Sequence, residues 1–340
     1  MLGKGDVGRV YLVELKGTDQ LFAMKCLDKK EMVRRKKERR VLTEQQILRT
    51  SQHPFIVTLH YSFQTHRHLF FVMDYCAGGE FFYFLKTQPD RRISEDAARF
   101  YAAETLSALE YLHMNGFLYR DLKPENLLLH ESGHIMLTDF DLANTSANPV
   151  EVKIAPGSGK KKSAMLHIHP TFETNSFVGT DEYLAPEVLT GFKHTHALDW
   201  WTFGIFIYEM IFSTTPFKGH DKANTFQQIL SCKVTFPQEP VVSPECKSLI
   251  KKLLVLDPQK RLGCLHGASE IKAHPWFKSI NWPLLRNSTP PMKIELKNPR
   301  DTSHFRRYDD DDSVVPLNDD EVTSTELAGD DPFKRFKRVG

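Results

Sequence analysis

The 340-residue sequence has no long apolar run and no cysteine framework. The longest apolar stretch, residues 203–212, is interrupted by Gly204 and Glu209. It falls well short of the roughly 18 residues that a membrane-spanning helix needs, so it predicts a buried helix of a folded domain. The five cysteines are odd in number and share no metal-ligand spacing. They favour reduced thiols and a cytoplasmic protein over a secreted disulfide scaffold.

The sequence also has little net charge of either sign. Lys and Arg total 45 against 43 Asp and Glu, a formal charge of +2, and we expect no nucleic-acid partner. The charges nevertheless cluster, because residues 34–40 and 160–162 are basic and residues 309–312 are acidic. Solvated surface is the simpler interpretation of the basic clusters. Nuclear import and binding to anionic lipid are the alternatives, so peripheral membrane association and a partly plasma-membrane or nuclear location stay open.

Local patterning divides the chain into two unequal lobes. Strand-like runs around one helix, at about residues 30–52, fill residues 1–75. Helical patterns dominate residues 76–277, and Ser94 is the predicted N-cap of a long helix there. We therefore predict an α+β protein whose small antiparallel β lobe carries one main helix and whose larger lobe is mainly α-helical.

Two segments lack a regular pattern. Residues 144–176 are rich in Ser, Pro, Gly, Lys and Asn and predict a mobile loop. Residues 278–332 carry many Pro, Asn, Asp and Ser and predict an extended strap. Phe333 and Phe336 then restore aromatic character to the end of the sequence.

A glycine-rich stretch opens the sequence. It fits G-x-G-x-x-G-x-V, and its candidate nucleotide-binding residues are Gly3, Lys4, Gly5, Asp6, Gly8 and Val10. Glycines let a backbone approach phosphates closely, although a steric strand turn explains such a motif equally well. The stretch continues as a strand rather than opening a helix, which argues against a Rossmann or P-loop site. Only Met1 and Leu2 precede it, as in a fragment or an incomplete gene model, and we expect a frayed lid over the nucleotide.

A lysine lies on the strand that follows the glycine motif. Lys25, in Ala23-Met24-Lys25, is a candidate for contact with the α- and β-phosphates of a nucleotide. Its candidate partner is Glu44 on the predicted helix. An isolated Ala-Met-Lys is more simply a solvated surface lysine, so this assignment depends on the motifs that follow.

The run YRDLKPEN, residues 119–126, carries the strongest chemical signal. Asp121 would accept or orient the proton of a substrate hydroxyl, and Lys123 would stabilise charge on a transferred phosphoryl group. Asn126, together with Asp139 of an Asp-Phe-Asp triplet, would hold Mg²⁺. An Ala-Pro-Glu triplet ending at Glu187 completes the order. These motifs, in this order, match the established signature of protein kinases.

On these motifs the sequence resembles eukaryotic protein kinases over residues 1–277, with residues 144–176 as an insert in the activation segment. Tyr119 in place of the usual histidine, and Gly78-Gly79-Glu80, are similar to the AGC group, whose C-terminal tail residues 278–340 resemble. The resemblance implies a two-lobed kinase fold, ATP and Mg²⁺ as cofactors, and serine/threonine phosphorylation by a monomer. A pseudokinase scaffold is the alternative, disfavoured because every catalytic group is present.

The same resemblance implies roles for further residues. Met73 would be the gatekeeper, and the backbones of Asp74 and Cys76 would bind adenine beside Ala23. Asp199 would brace the catalytic loop, and Arg261 would pair with buried Glu187. Basic residues of a protein substrate would be held by Glu80, Glu125 and Glu209, with Glu80 also near the ribose. The alternatives are that Glu80 contacts only the ribose and that Glu209 only serves the solvation of its helix.

Two departures narrow the subgroup. Asp141 replaces the usual glycine after Asp139-Phe140, and extra residues separate it from Ser176. Both features are similar to those of plant phototropin and PINOID kinases and of fungal flippase kinases. The sequence RVLTEQQIL and the short insert resemble the fungal branch more closely. Membrane lipid flippases are therefore candidate substrates. Loss of the glycine removes its freedom to adopt positive φ at this hinge.

The resemblance also implies two regulatory elements. Ser176 is the expected activating phosphosite for an upstream kinase, with Arg120 and a helix cation to hold the phosphate. Phe333 and Phe336 resemble the hydrophobic motif that docks on the small lobe. Lys337 follows where many relatives carry a phosphorylatable residue, so we expect constitutive docking or recruitment of the upstream kinase rather than a charge switch.

Overall fold

The computed structural model describes residues 1–5, 7–146, 151–156, 164–169, 179–306, 308 and 331–340, with residues 151–156 and 164–169 described by their backbone alone. It is an α+β fold of two lobes, as predicted. Within these residues, no helix combines the length and the apolar character needed to cross a membrane.

A five-stranded antiparallel sheet of order β1-β2-β3-β5-β4 forms the N-terminal lobe. Its strands are Gly3–Lys4 (β1), Gly8–Glu14 (β2), Leu21–Asp28 (β3), Leu59–Gln64 (β4) and His68–Asp74 (β5). Successive side chains of a strand point to opposite faces. Leu69 and Phe71 of β5 therefore join the main core, whereas Phe70 and Val72 pack in a smaller cluster on the other face.

The helix predicted at residues 30–52 is two helices, Lys29–Arg34 (α1) and Glu38–Thr50 (α2). Asp28 caps α1 by accepting a hydrogen bond from the Glu31 backbone N–H. Lys36 adopts a φ of 55°, which cannot continue a right-handed helix and separates the two. The prediction of a single helix is wrong here because Arg and Lys are good helix formers and give no local sign of a break.

The C-terminal lobe is mainly helical. Ser94 caps Glu95–Met114 (α4) as predicted, accepting from the Ala97 backbone N–H at 3.3 Å. The apolar stretch at residues 203–212 belongs to the buried helix Ala197–Phe212 (α6), which also confirms its prediction. The other helices are Phe81–Thr87 (α3), Pro186–Leu189 (α5), Lys222–Ser231 (α7), Pro244–Leu253 (α8) and Ala268–Lys272 (α9).

Short strands and 3-10 helices lie between the main helices of this lobe. The strands are Phe117–Leu118 (β6), Leu127–Leu129 (β7), Ile135–Leu137 (β8), Asn144–Thr145 (β9), Glu151–Pro156 (β10) and Ala164–His169 (β11), paired as β6-β9, β7-β8 and β10-β11. The 3-10 helices are Pro89–Arg91, Pro124–Asn126, Asp181–Tyr183, Pro258–Lys260, Pro275–Phe277 and Trp282–Asn287.

The β10-β11 hairpin lies in the segment predicted as a mobile loop. Six residue pairs join its strands in antiparallel register. Val152 and Ile154 of β10 and Ile168 of β11 are β-branched residues that favour strands. The prediction of a loop without regular structure is therefore wrong for these twelve residues, because Lys, Ser, Asn and Pro dominate the average composition of the segment.

Candidate active site

A cleft of about 580 Å³ lies between the β sheet and the helical lobe. This volume is typical of a small-molecule site. Among its lining residues are all of the described candidates for nucleotide binding: Gly3, Lys4, Gly5, Gly8, Val10, Ala23, Lys25, Glu44, Met73, Asp74, Cys76, Glu80 and Asp139. Asp6, the remaining candidate, lies outside the described residues.

The glycine motif forms the roof of the cleft. The Gly5 backbone N–H donates to the Gly8 carbonyl at 2.9 Å and closes a tight turn between β1 and β2. A Cβ at Gly8 would lie 2.3 Å from the Cys26 carbonyl oxygen, which is too close for any side chain. Glycine is therefore required at this position by the close approach of two strands, and the turn faces the cleft.

Lys25 joins the two lobes at the back of the cleft. Its Nζ lies 2.7 Å from Glu44 Oε1 on α2 and 3.5 Å from Asp139 Oδ1 of the helical lobe. Burial alone lowers the pKa of Lys25, but the charges of Glu44 and Asp139 outweigh that effect and the pKa is raised. The lysine is therefore a fixed cation, placed where nucleotide phosphates could lie.

Asp121, Lys123 and Asn126 converge in the loop before β7. Lys123 Nζ lies 2.9 Å from Asp121 Oδ2 and also donates to Thr180 Oγ1 at 3.1 Å. Asn126 Nδ2 donates to the Asp121 carbonyl and to Asp121 Oδ2, both at 2.8 Å. Burial raises the pKa of Asp121, while Lys123 and Asn126 oppose that shift. The loop therefore presents one oriented carboxylate beside one cation.

Asp199 of α6 holds the backbone of this loop. Its carboxylate accepts from the backbone N–H groups of Tyr119 at 3.0 Å and Arg120 at 2.8 Å, and His113 Nε2 lies 2.7 Å from it. Arg120 has a φ of 69°, a conformation that costs a non-glycine residue free energy. These hydrogen bonds compensate for that cost and fix the position of Asp121.

Arg261 and Glu187 form the buried ion pair that the resemblance implied. Arg261 Nη1 and Nη2 lie 2.8 and 3.0 Å from the two Glu187 oxygens. Both residues are almost fully buried, and the guanidinium also donates to the Ala197 and Val255 carbonyls. The pair ties α5, at the end of the activation segment, to the helical core.

The oxygen donors needed for a divalent cation face the same cleft. The Asp139 side chain retains 45% of its exposure, and Asn126 uses its amide nitrogen on Asp121, which leaves its amide oxygen as an acceptor. Burial raises the pKa of Asp139, but Lys25, the Asp141 backbone N–H and Lys123 outweigh this, so the pKa is lowered. In the part of the chain described, no group of three His, Cys, Asp or Glu residues forms a metal site. One carboxylate and one amide fit Mg²⁺, which takes its other ligands from phosphate and water.

An acidic surface continues from the cleft into the helical lobe. Burial, together with the charge of Glu125, raises the pKa of Glu80, and burial raises the pKa of Glu125 itself. Burial raises the pKa of Glu209 to about 7, with the charges of Glu125 and Glu182 adding to the shift. Glu209 also accepts a short hydrogen bond from the Tyr183 hydroxyl. The three candidate substrate-binding glutamates therefore share one electrostatic environment.

The end of the chain packs beside α2. Phe333 and Phe336 are 1% and 4% exposed, and Phe336 meets the Phe71 ring edge-on at 5.2 Å between centroids. Gln45 of α2 donates to the Lys337 carbonyl at 2.7 Å and accepts from the Lys337 backbone N–H at 2.9 Å. This is the docked geometry expected of a hydrophobic motif. Ser176, the other regulatory candidate, lies outside the described residues.

The sequence analysis missed part of the cleft. Leu2, Val57 and Leu128 supply apolar walls, and Phe305 and Tyr308 of the tail complete the lining. The apolar walls belong to ordinary strand or loop positions that carry no motif. Phe305 and Tyr308 are far along the chain from the other lining residues, so no local pattern signals their presence.

Comparison with known proteins agrees with this geometry. The family model described as Protein kinase domain matches residues 1–277. The chain is 50% identical to Serine/threonine-protein kinase nrc-2 of Neurospora crassa, over 100% of this chain and 58% of that protein. It is 50% identical to Flippase kinase 1 of Saccharomyces cerevisiae, over 100% of this chain and 39% of that protein.

A plant relative shows the same similarity over a shorter stretch. Phototropin-1A of Oryza sativa subsp. japonica is 49% identical over 87% of this chain and 33% of its own length. The chain thus spans between about a third and three fifths of the length of these relatives. These relatives confirm the resemblance to the AGC-like branch that includes fungal flippase kinases and phototropins. The chain belongs to the protein kinase domain family.

Proposed function

We propose that the chain is a serine/threonine protein kinase that transfers the γ-phosphate of ATP to hydroxyl groups of proteins. The observation that carries this proposal is a cleft lined by Lys25, Lys123, Asn126 and Asp139, with the Asp121 carboxylate hydrogen-bonded to Lys123 and Asn126 beside it. Lys25 is held by Glu44, Asp121 by Lys123 and Asn126, and the cleft has the volume of a nucleotide site. Phosphoryl transfer requires mainly positioning and charge stabilisation, which this set of groups supplies.

Each group has one task in the proposed reaction. Asp121 orients the substrate hydroxyl and accepts its proton, and Lys123 stabilises negative charge on the transferred group. Lys25 positions the α- and β-phosphates. Asp139 and Asn126 would hold Mg²⁺, and the bound ion would supply positive charge that offsets the charge of the ATP phosphates. Met73, Asp74 and Cys76 line the cleft. In this proposal Met73 is the gatekeeper, and the backbones of Asp74 and Cys76 would bind adenine.

The acidic surface supports a preference for arginine near the target serine or threonine. Glu80, Glu125 and Glu209 each have a pKa raised by burial, so each carboxylate is incompletely solvated. An arginine of the substrate would offer bidentate hydrogen bonds that satisfy such groups. We therefore include Arg-containing protein segments as the substrate class.

The proposal extends to regulation and setting. An upstream kinase phosphorylates Ser176, and the docked Phe333 and Phe336 favour the inward position of α2. The relative named Flippase kinase 1 supports membrane lipid flippases as candidate substrates. We place the kinase, a monomer, in the cytoplasm with peripheral access to the plasma membrane or the nucleus.

The substitution Asp121→Asn tests the reaction. Asparagine retains the size of the side chain and its acceptor oxygen but cannot take a proton. We expect about a 10²- to 10⁴-fold lower rate of transfer from radiolabelled ATP to a library of Arg-containing peptides. Binding of a fluorescent ATP analogue should be retained. Unchanged transfer would show that Asp121 is not the catalytic base.

The alternative, a pseudokinase scaffold, makes a different prediction for the unmodified chain. It would bind nucleotide yet transfer no phosphate to any peptide in the library. The presence of Lys25, Glu44, Asp121, Asn126 and Asp139, and their convergence, favour the active enzyme. Peptides with and without arginine in the same library test the substrate class at the same time.

A further inference from the structure

Asp141 occupies the position of the glycine in the general protein kinase signature, directly after Asp139-Phe140. Its φ is not positive, whereas Asp139 has a φ of 56°. The backbone at residue 141 therefore has no need of glycine in this conformation. Its side chain adds a carboxylate that glycine does not have.

The Asp141 carboxylate reaches from the helical lobe to α2. Its Oδ2 lies 3.0 Å from Lys37 Nζ and 3.4 Å from Arg40 Nη1. The Asp141 and Lys37 side chains are 23% and 19% exposed, so these charges are only partly screened by water. A glycine could make neither contact.

The two cations lie on the same face of α2 as Glu44. Lys37, Arg40 and Glu44 are separated by three and four residues, the spacing of neighbours on one helix face. Asp141 therefore contacts the first turn of the face whose next turn presents Glu44 to Lys25. Three ionic contacts therefore hold this face, two from Asp141 of the helical lobe and one from Lys25 of the N-terminal lobe.

A negative charge near the start of α2 would stabilise this helix. Lys37 is its N-cap residue and makes no side-chain capping hydrogen bond. Arg34 and Arg35 pair with Glu31, but residues 36–40 still carry four cations and one glutamate, so like charges repel one another at the start of α2. A carboxylate at this end is favoured by the helix dipole as well as by the two ion pairs.

We propose that Asp141 is a positioning residue that fastens the first turn of α2 to the start of the activation segment and so keeps Glu44 within reach of Lys25. The ordinary glycine at this position leaves that fastening to other contacts. The role goes beyond the proposed function, and only its activity readout rests on that function.

The test compares Asp141→Asn, Asp141→Gly and Asp141→Glu in the full chain. Loss of the charge should speed amide hydrogen exchange in residues 38–50 and raise KM for ATP, with kcat/KM about threefold to tenfold lower. Asp141→Glu keeps the charge, so its hydrogen exchange in residues 38–50 and its kcat/KM should be close to those of the unmodified chain. Thermal melting shows that each variant is folded.

A double-mutant cycle separates this role from an effect through neighbouring Asp139. In a Lys37→Gln/Arg40→Gln background, Asp141→Asn should have little further effect, because its partners are already gone. Arg39→Gln removes a charge from an exposed residue of the same turn and serves as the matched control, with no expected change. An equal effect of Asp141→Asn in both backgrounds would overturn the proposal.

Hydrogen exchange needs no phosphoryl transfer, so the two proposals fail separately. A chain that transfers no phosphate would refute the kinase function yet leave the exchange comparison intact. Unchanged exchange in residues 38–50 of the folded Asp141→Asn variant would refute the positioning role, whatever the activity.

Discussion

At the residue scale, burial has opposite consequences for ionisable groups according to their partners. Lys25 is buried beside two carboxylates and its pKa is raised, so it stays charged. Glu209 is buried beside other carboxylates, and its pKa is raised to about 7, so it approaches neutrality. The first group is a permanent phosphate ligand in the proposed reaction, and the second is sensitive to pH.

Selectivity for arginine should therefore depend on pH through Glu209. The carboxylate is mostly protonated at pH 6 and mostly ionised at pH 8, and a cationic substrate binds the ionised form. We expect kcat/KM for an Arg-containing peptide, divided by that for its Ala-substituted twin, to rise severalfold from pH 6 to pH 8. The ratio cancels the pH dependence of the transfer step.

Glu209→Gln is the control for this dependence. Glutamine has no ionisable group at this position, so the ratio should be lower and nearly constant over the same range. A ratio that rises equally in both proteins would place the titrating group elsewhere.

The buried ion pair of Arg261 and Glu187 should be costly to break. Arg261→Ala leaves the Glu187 carboxylate buried without its partner, and we expect a loss of about 3–5 kcal/mol in the free energy of unfolding, measured with urea. The double variant Glu187→Gln/Arg261→Met removes both charges and should be less destabilised than Arg261→Ala. Arg34→Ala, at an exposed ion pair with Glu31, is expected to change little. Equal losses for Arg261→Ala and Arg34→Ala would contradict the assignment.

At the element scale, α2 is where separate parts of the chain meet. Glu44 contacts Lys25 of β3, Gln45 contacts Lys337 of the tail, and the first turn contacts Asp141. Glu44 and Gln45 are adjacent and point to different sides of α2, and the contacts of Asp141 lie one turn earlier. Its position is therefore set by tertiary contacts more than by its own helix propensity.

Removing the aromatic anchors should loosen this helix. Phe333→Ala/Phe336→Ala loses two buried rings, each worth on the order of 3 kcal/mol of packing, and should release the end of the chain from the sheet. We expect faster hydrogen exchange in α2 and less phosphorylation of the Arg-containing peptide. Arg335→Ala, an exposed neighbour, should match the unmodified protein. Unaltered exchange and activity in the double variant would show that docking does not support the helix.

At the scale of the whole molecule, the tail connects the lobes along one edge of the cleft. The Tyr75 hydroxyl donates to the Asp301 carbonyl at 2.6 Å, and the Tyr75 and Phe305 rings stack at 5.9 Å. A Cβ at Gly79 would lie 2.4 Å from the His304 carbonyl oxygen, so the tail backbone packs closely against the connection between the lobes. Phe305 and Tyr308 of the tail thus complete the lining of the cleft, which is the nucleotide site in the proposed function.

Phe305→Ala should weaken ATP binding with little effect on folding. The ring lines the cleft, and its stacking on Tyr75 holds it there with about 0.5–1.5 kcal/mol beyond its buried area. Loss of this wall and of its attachment should raise KM for ATP about threefold to tenfold. An ATP titration at saturating peptide measures this, and Phe305→Tyr, which keeps the ring, should behave like the unmodified chain. An unchanged KM in Phe305→Ala would mean that the tail does not contribute to the cleft in solution.

Motifs with short spacing made much of the site predictable. Asp121, Lys123 and Asn126 lie within six residues, and one 3-10 turn brings them together. The capping of α4 by Ser94 and the burial of α6 likewise followed from local pattern. The break at Lys36 did not follow from local pattern, because the residues around it are good helix formers. The β10-β11 hairpin was missed because the average composition of the segment is polar and conceals two short strands.

The sequence by itself determined the chemical groups, the two-lobed α+β class and the departure at Asp141. Only the tertiary structure decided that Asp141 meets Lys37 and Arg40, 104 and 101 residues away along the chain. In the same way it brought the Lys337 backbone to Gln45, 292 residues away. Such contacts depend on how separate elements pack, and no periodicity or local propensity encodes the distance between residues so far apart.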